Sequence, residues 1–309
     1  MVVQWDELAS LSLEGETVIT IGVFDGVHLG HRYLIRHLVG QAEAMDYVPG
    51  VVTFHRHPQQ VLNSKTQISY LTTLEERVAL LKKLGVSFVI PLNFTRELAQ
   101  TTAREFVMAL QRYLRMKSLI VGSDFALGRN REGNPVVLFE LGGELGFSVH
   151  VVPPLVQAGE IVSSTAIRQA LAKGHLAKVR NMLGRPYRLS GPVVHGAERG
   201  KGLGFPTANL HVNSNQGLPE DGVYATRTYV GGEAYPSVTN VGTCPTFGQQ
   251  ERTVEAYILD KEMKLYDQEI KIDFLERIRE ERCFVSPEAL AAQINKDVER
   301  AREILRSEG

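Results

Sequence analysis

Three groups of residues in this chain have the types and spacing to handle phosphate. The first is Gly22-Val23-Phe24-Asp25-Gly26-Val27-His28-Leu29-Gly30-His31, between a strand-like run and a helix-like run. Imidazoles three residues apart face the same way on a helical turn. They can donate hydrogen bonds to oxygens that gain charge as a phosphoanhydride breaks. A helix N-terminus at that point offers free N–H groups and partial positive charge to an anion. Gly30 lets a phosphate come close to the backbone. The alternative is a polar turn with two surface histidines. The second group is Ser163-Ser164-Thr165-Ala166-Ile167-Arg168. Its hydroxyls can cap a helix or bind phosphate, and Arg168, one turn after Ser164, can hold a phosphate bidentately. The third is Gly200-Lys201-Gly202-Leu203-Gly204-Phe205-Pro206-Thr207-Ala208-Asn209, whose glycines free the backbone to wrap phosphates. Its alternative is a tight Gly-Pro turn. Two better-known phosphate motifs do not fit. Gly22, Gly26 and Gly30 are spaced by four, and Gly200-Lys201-Gly202 lacks the upstream Gly and the following Ser/Thr of a Walker A loop.

The elements that would position these groups differ between the two halves. Thr17–Gly22, Gly50–Phe54, Phe88–Leu92, Ser118–Val121 and Ser148–Val152 are short apolar runs, read as strands buried on both faces. Helical patterns alternate with them. Arg32–Met45 is one; Thr73–Leu84 and Thr102–Arg115 are others, opened by Thr73/Glu76 and Thr102/Glu105 capping boxes. Alternating strands and helices imply a parallel sheet with crossover helices, with ligands at its carboxyl edge. Leu171–Leu183 still reads as helical, and Gly184-Arg185-Pro186 punctuates it. From Tyr187 to Arg277 the pattern becomes short strands: Tyr187–Val194, Gly222–Tyr229, Tyr235–Val241, Thr253–Leu259 and Glu269–Phe274. Turn chemistry at Glu220-Asp221-Gly222 and Gly231-Gly232 points to a small antiparallel barrel. A last helix, Ser286 to about Arg306, has Ser286 as N-cap and Pro287 at its first position.

Composition narrows the class. The chain has 309 residues, enough for two domains, divided here as 1–183 and 184–309. A net charge of −1 leaves no basic face for nucleic acid. No apolar run is long enough to span a membrane, and early acids (Asp6, Glu7, Glu14, Glu16) do not suit a signal peptide. Cys244 and Cys283 match no metal spacing and read as reduced thiols in the cytoplasm.

The motif order resembles a known family. G-x-F-D-G-x-H-x-G-H and S-S-T-x-I-R look like the FMN adenylyltransferase branch of the nucleotidyltransferase superfamily. Thr53-Phe54-His55-Arg56-His57-Pro58 and Val121-Gly122-Ser123-Asp124-Phe125-Ala126-Leu127-Gly128 fit it too, although His55-Arg56 stands where that family usually has Asp-Pro. The second half resembles riboflavin kinase. The likeness there rests on Gly196–Gly204, Phe205-Pro206-Thr207-Ala208-Asn209, Asp221-Gly222-Val223-Tyr224, Asn240–Phe247 and Val254-Glu255-Ala256-Tyr257.

The resemblance implies a Rossmann-like α/β/α nucleotidyltransferase domain, then a six-stranded antiparallel β-barrel with a C-terminal helix. It implies a bifunctional cytoplasmic enzyme acting on ATP, riboflavin and FMN with Mg²⁺; it leaves the oligomeric state open. In the first domain Gly22, Phe24, Gly30, Ser163, Ser164 and Thr165 would hold ATP phosphates, with His28, His31 and Arg168 catalytic. His57, Asp124 and Phe125 would contact flavin. In the second domain Gly200, Lys201 and Gly204 would wrap phosphates. Thr207 and Asn209, hard oxygen ligands, would hold Mg²⁺. The alcohol of riboflavin is not ionised at neutral pH and needs a base, for which Glu255 is the candidate. The FMN phosphate, with a second pKa near 6, needs none. Two rivals stand beside this reading: a kinase whose first domain serves another adenylyl or cytidylyl acceptor, and a noncatalytic flavin-binding protein on the same scaffold.

Overall fold

The computed structural model describes residues 5–195, 204–246, 249–261 and 263–308. The chain divides into two compact units: Met1–Ile68 with Thr73–Ser164, and Ser69–Thr72 with Thr165–Gly309.

The first unit is built on five parallel strands: β1 Thr17–Ile21, β2 Val48–Phe54, β3 Phe88–Leu92, β4 Met116–Gly122 and β5 Ser148–Val152. Their order is β3-β2-β1-β4-β5. The order reverses between β1 and β4, which makes the carboxyl ends of those two strands the expected ligand crevice. Helix α1 (Asp6–Ala9) precedes the sheet. The connections are α2 (Leu29–Met45), α3 (Pro58–Leu62) with α4 (Leu74–Lys82), α5 (Ala103–Leu114) and α6 (Pro135–Leu145). Period-2 alternation splits the strand side chains between two cores. Ile19, Ile21, Leu119 and Val121 face Leu8, Phe106, Leu110 and Leu138 of α1, α5 and α6. Val18, Val51 and Ile120 face Ile35, Leu38 and Leu81 of α2 and α4. The result is the three-layer arrangement expected from the alternating pattern.

Helix starts follow their capping residues. Thr102 and Glu105 form the full reciprocal box, and the Thr73 hydroxyl accepts the Glu76 N–H. Helix α2 begins at Leu29, three residues before the expected Arg32, because His28 itself is the N-cap. The stretch Leu171–Leu183 is not one helix. α7 (Ser164–Ala172) ends and α8 (Leu176–Leu183) begins around Gly174, whose φ of 66° only glycine adopts readily. Helix α6 gave no amphipathic signal because its apolar residues lie on both sides: Val136 and Phe139 are 68% and 71% exposed while Leu138 and Leu141 are buried. A short hairpin, β6 (Val156–Gln157) with β7 (Glu160–Ile161), follows β5.

In the second unit β8 (Tyr187–Val194), β9 (Ala208–Leu210), β10 (Gly222–Val230), β11 (Glu233–Thr246), β12 (Gln249–Ile258) and β13 (Glu269–Arg279) form a closed barrel, ordered β10-β11-β12-β9-β8-β13. Five strands lie over the runs that turn signals bounded, with β11 and β12 extending several residues further. The sixth, β9, is three residues inside a motif, too short to show a period. Gly231 and Gly232 have φ of 59° and 94°, as the two-residue turn joining β10 to β11 requires. Inside the barrel the buried hydroxyls of Thr226, Thr228, Ser237 and Thr239 bond one another at 2.7–2.8 Å, which satisfies them without water. Helix α9 (Pro287–Ser307) is capped by Ser286, whose hydroxyl accepts the Ala289 N–H. It lays Val298, Ala301 and Ile304 on Val223, Ala225 and Val238 of the outer wall. Asp297 of α9, buried, accepts two guanidinium nitrogens of Arg279 at 2.8–3.1 Å.

Residues 69–72 belong to this second unit through backbone bonds. The Tyr70 N–H donates to Asn215 O (2.7 Å) and the Gly217 N–H to Tyr70 O (2.8 Å). Tyr187, inside the barrel, donates its hydroxyl to Gly217 O at 2.5 Å.

Candidate active sites

The first site begins where β1 ends. Between Gly22 and His28 the chain folds over the carboxyl edge of the sheet with Phe24, Gly26 and Val27 at φ of 52°, 81° and 39°. Such φ values are uncommon for residues with a Cβ, and for a β-branched valine they are an outlier. Strain of this kind costs about 1–3 kcal/mol per residue and persists only where neighbours impose it. The neighbours are identifiable. Thr53 Oγ1 donates to Val23 O (3.0 Å), and Ser164 Oγ donates to Asp25 O (2.9 Å). The Phe24 and Val27 side chains are buried in the core beneath. Phe24 meets the His31 ring edge to face, with centroids 5.2 Å apart. Its buried ring anchors the loop, so a contribution of Phe24 to phosphate binding falls to its backbone.

His28 is 4% exposed and caps α2: its Nδ1 accepts the His31 N–H at 3.2 Å. A ring nitrogen that accepts an N–H carries no proton, so neutral His28 holds its proton on Nε2 and presents a donor there. The His28 and His31 rings stack, with centroids 3.6 Å apart and planes 20° apart. Gly30 is a steric requirement. A Cβ on it would sit 2.9 Å from Val162 O and 3.1 Å from the His28 ring. Val162 leads into Ser164 and α7, so the first unit packs the His-x-x-His turn against the Ser163-Ser164 segment. Two of the elements singled out by motif are thereby joined, and Thr165 is exposed at the start of α7. Arg168, one turn further along α7, belongs to the second unit, where its Nε donates to Ser69 O at 2.9 Å.

The flavin candidates follow neighbouring strands. Asp124 and Phe125 lie just past β4, in a turn closed by the Phe125 N–H donating to Gly122 O (3.2 Å); Asp124 is exposed and Phe125 half-buried against the core. Their strand flanks β1 at the order reversal. His57 lies past β2 as N-cap of α3, its Nδ1 accepting the Gln59 N–H at 3.2 Å. His55 and Arg56 are exposed, and the His55 N–H donates to Leu92 O.

Motif reading missed Thr53 and Arg77 as supports of this edge. Arg77 is 1% exposed and donates to Phe54 O, the last carbonyl of β2, at 2.9 Å. The available signal was an arginine four residues before Leu81 on the buried stripe of α4.

The second site lies on the outer wall of the barrel. Gly200 and Lys201 fall outside the described residues; Gly204 is exposed with φ of 85°. Phe205 packs edge to face on Tyr257, centroids 5.5 Å apart, and fixes the approach of Pro206-Thr207 to β9. Asn209 of β9 lies directly opposite Glu255 of β12. Thr207 Oγ1 approaches Glu255 Oε2 at 3.4 Å. Metal-ligand and base candidates 46 to 48 residues apart in sequence therefore meet on one face. The third residue in the row, Asn240 of β11, lies opposite Glu255 on its other side. Among the described residues no group of three His, Cys, Asp or Glu side chains could hold a metal by itself. Thr207 and Asn209 supply neutral hard oxygens of the kind that suits a Mg²⁺ ion arriving on a nucleotide with most of its waters.

A parallel α/β unit with a Gly- and His-bearing turn at its order reversal, joined in one chain to a barrel with a Thr/Asn/Glu wall, has the architecture of a two-domain nucleotide-dependent transferase. The FAD synthetase family model matches residues 11–166 and the riboflavin kinase family model residues 183–305. The chain belongs to the bifunctional riboflavin kinase/FMN adenylyltransferase family. The Escherichia coli (strain K12) protein of that name is 39% identical over 288 residues, covering 93% of this chain and 92% of its own. The Haemophilus influenzae protein is 36% identical over 291 residues (94% of each), and that of Bacillus subtilis 33% over 293 residues (93% and 92%). A crystal structure described as a macrolide-efflux protein from Streptococcus pneumoniae superposes with a TM-score of 0.88 at 30% identity, covering 96% of each chain. Among the described residues of this chain no helix is long and apolar enough to cross a membrane.

Proposed function

We propose that the barrel transfers the γ-phosphoryl group of ATP to riboflavin, giving FMN and ADP, and that the α/β unit transfers AMP from a second ATP to FMN, giving FAD and pyrophosphate. Family membership over both halves supports the pair of activities. The meeting of Thr207, Asn209 and Glu255 on one wall carries the assignment of residues.

In the kinase step Glu255 accepts the proton of the terminal ribityl hydroxyl as its oxygen bonds to the γ-phosphorus; the bond to the β–γ bridging oxygen breaks and ADP leaves. Thr207 and Asn209 would hold Mg²⁺, which when bound neutralises charge on the ATP phosphates. Gly200, Lys201 and Gly204 would wrap those phosphates.

In the adenylyl step an already ionised oxygen of the FMN phosphate attacks the α-phosphorus and pyrophosphate leaves. The work is positioning and charge stabilisation. His28 Nε2–H, His31, Gly22, the backbone of Phe24 and Gly30, and the α2 N-terminus would face the triphosphate. Ser163, Ser164, Thr165 and Arg168 would hold phosphate from α7, while His57, Asp124 and Phe125 would contact flavin. We assign 1–183 to adenylyl transfer and 184–309 to phosphorylation, in the cytoplasm, where ATP is made.

The test is incubation of the purified protein with riboflavin, ATP and Mg²⁺, with flavins resolved by chromatography over time. FMN should appear and give way to FAD, and chelation of Mg²⁺ should stop both steps. FMN that accumulates without FAD would assign the first domain to another acceptor and direct attention to His55-Arg56. Flavin binding without turnover would assign the chain to the noncatalytic class.

A further inference from the structure

Asn240 occupies a place that neither the capping rules nor the core explains. It lies mid-strand in β11, where asparagine is disfavoured. Register places it opposite Glu255 on one side and Val223 on the other. Residues opposite one another in an antiparallel pair share a face, so Asn209, Glu255, Asn240 and Val223 form one continuous row on the outer wall. The row changes character at Asn240. Val223, and Val238 two residues before Asn240 on the same face, are buried under α9. Beyond Asn240 lie the polar groups of the kinase site. Asn240 is half-buried, and among the described residues its carboxamide makes no hydrogen bond. Its amide atoms are not enclosed by the wall and stay accessible to a ligand on this face. An amide offers one acceptor oxygen and two N–H donors, and so complements an alcohol that both donates and accepts.

We propose that Asn240 is a substrate-contacting residue of the kinase step: its carboxamide hydrogen-bonds the secondary hydroxyl next to the one that reacts. The geometry supports this choice of hydroxyl. Side chains opposite one another across an antiparallel pair stand about 4.5–5.5 Å apart at Cβ. A base at Glu255 on the terminal oxygen therefore leaves the neighbouring carbon's hydroxyl within reach of Asn240. The contact would make the site select polyol side chains over chains that carry a lone terminal alcohol. A site built to bond a hydroxyl discriminates against analogues that lack it.

This inference rests on the kinase reading, and on Glu255 marking the reacting oxygen. The experiment separates the two. Riboflavin and its 4′-deoxy analogue are phosphorylated by the unaltered protein and by Asn240→Ala and Asn240→Ser. Each preparation is also checked by thermal melt and circular dichroism against the unaltered protein, so that the fold of the barrel is controlled, and FMN adenylylation serves as the control for the other unit. Asn240→Ala should lower kcat/KM for riboflavin roughly tenfold and for the 4′-deoxy analogue less than twofold. Asn240→Ser should recover part of the loss on riboflavin only. Equal losses on both substrates in folded protein would overturn the proposal, because they would mean that Asn240 acts on the wall or on Glu255 and not on the hydroxyl. Unchanged kinetics on riboflavin would overturn it too. Glu255→Gln, measured in parallel with riboflavin, reports the base assignment alone: if that variant kept full kinase activity, the base reading would fail while the coupling between Asn240 and the hydroxyl would still be measured.

Discussion

At the residue scale, the two chemistries call for different side chains. An alcohol must lose a proton to become a nucleophile; a phosphate monoester is ionised at neutral pH. The carboxylate of Glu255 stands beside Thr207 and Asn209, whereas the α/β unit gathers imidazoles and hydroxyls at its turn. Glu255→Gln should therefore lower riboflavin phosphorylation by about 10²–10⁴ and leave FMN adenylylation unchanged; rates of each half-reaction, started from purified riboflavin or FMN, check it. The proposed function gives His28 two jobs that a substitution can separate: its Nδ1 caps α2, and its Nε2–H is assigned as donor to the triphosphate. Asparagine is a good N-cap but ends short of the Nε2 position. His28→Asn should melt within a few degrees of the unaltered protein and still lose about 10²–10³ in FMN adenylylation. A variant that kept its adenylylation rate would remove His28 from the chemistry and leave it a cap.

At the element scale, the strained turn after β1 is held by parts far away in sequence: Thr53 on β2 and Ser164 at the head of α7. Gly30 is where the α2 turn and the chain before α7 touch. Gly30→Ala would push a methyl to within 2.9 Å of a backbone oxygen that has little room to move. We expect overpacking of about 1–3 kcal/mol, read in thermal melts, together with loss of adenylylation while kinase activity persists. The barrel has its own stability signature. Burial pushes the Tyr224 hydroxyl up to about 12, from an ordinary value near 10. The folded state therefore keeps a proton that the unfolded state gives up. The stabilisation is complete below about pH 10 and is lost as pH rises towards 12. Denaturant melts across that window should show a downward slope that Tyr224→Phe reduces; an identical slope in the variant would assign the alkaline transition to other groups.

At the scale of the whole molecule, the proposed function assigns the two reactions to different sets of residues, with FMN the product of one reaction and the substrate of the other. Glu255→Gln and His31→Ala proteins, each unable to make FAD from riboflavin, should make it when mixed. FAD formation should show a lag that shortens as the concentration of the second protein rises. No FAD from the mixture, with each surviving half-reaction intact, would mean that FMN does not pass through solution.

The sequence by itself determined the kinds of chemistry and the kinds of element. His-x-x-His after an apolar run, Thr-x-Asn after a Gly-rich run and Ser-Pro at the last helix carry their meaning within a few residues, because capping, turn chemistry and periodicity are local. Thr102, Thr73 and Ser286 cap their helices where the motifs placed them. What lay beyond local pattern was decided by tertiary structure. Which residues face Glu255 depends on the register of β9, β12 and β11, and a shift of one residue would turn every side chain to the opposite face. Asn240 stood out only as the start of a family block, with nothing to place it beside Glu255, and β9 was too short to show a period. The positive φ values of Phe24 and Val27 contradict local preference and exist because Thr53, Ser164 and the core beneath impose them. Residues 69–72 lie between helices of the first unit in sequence, yet pair with Asn215–Gly217 of the second. Backbone hydrogen bonds of that kind carry no residue-type requirement, so no motif records them.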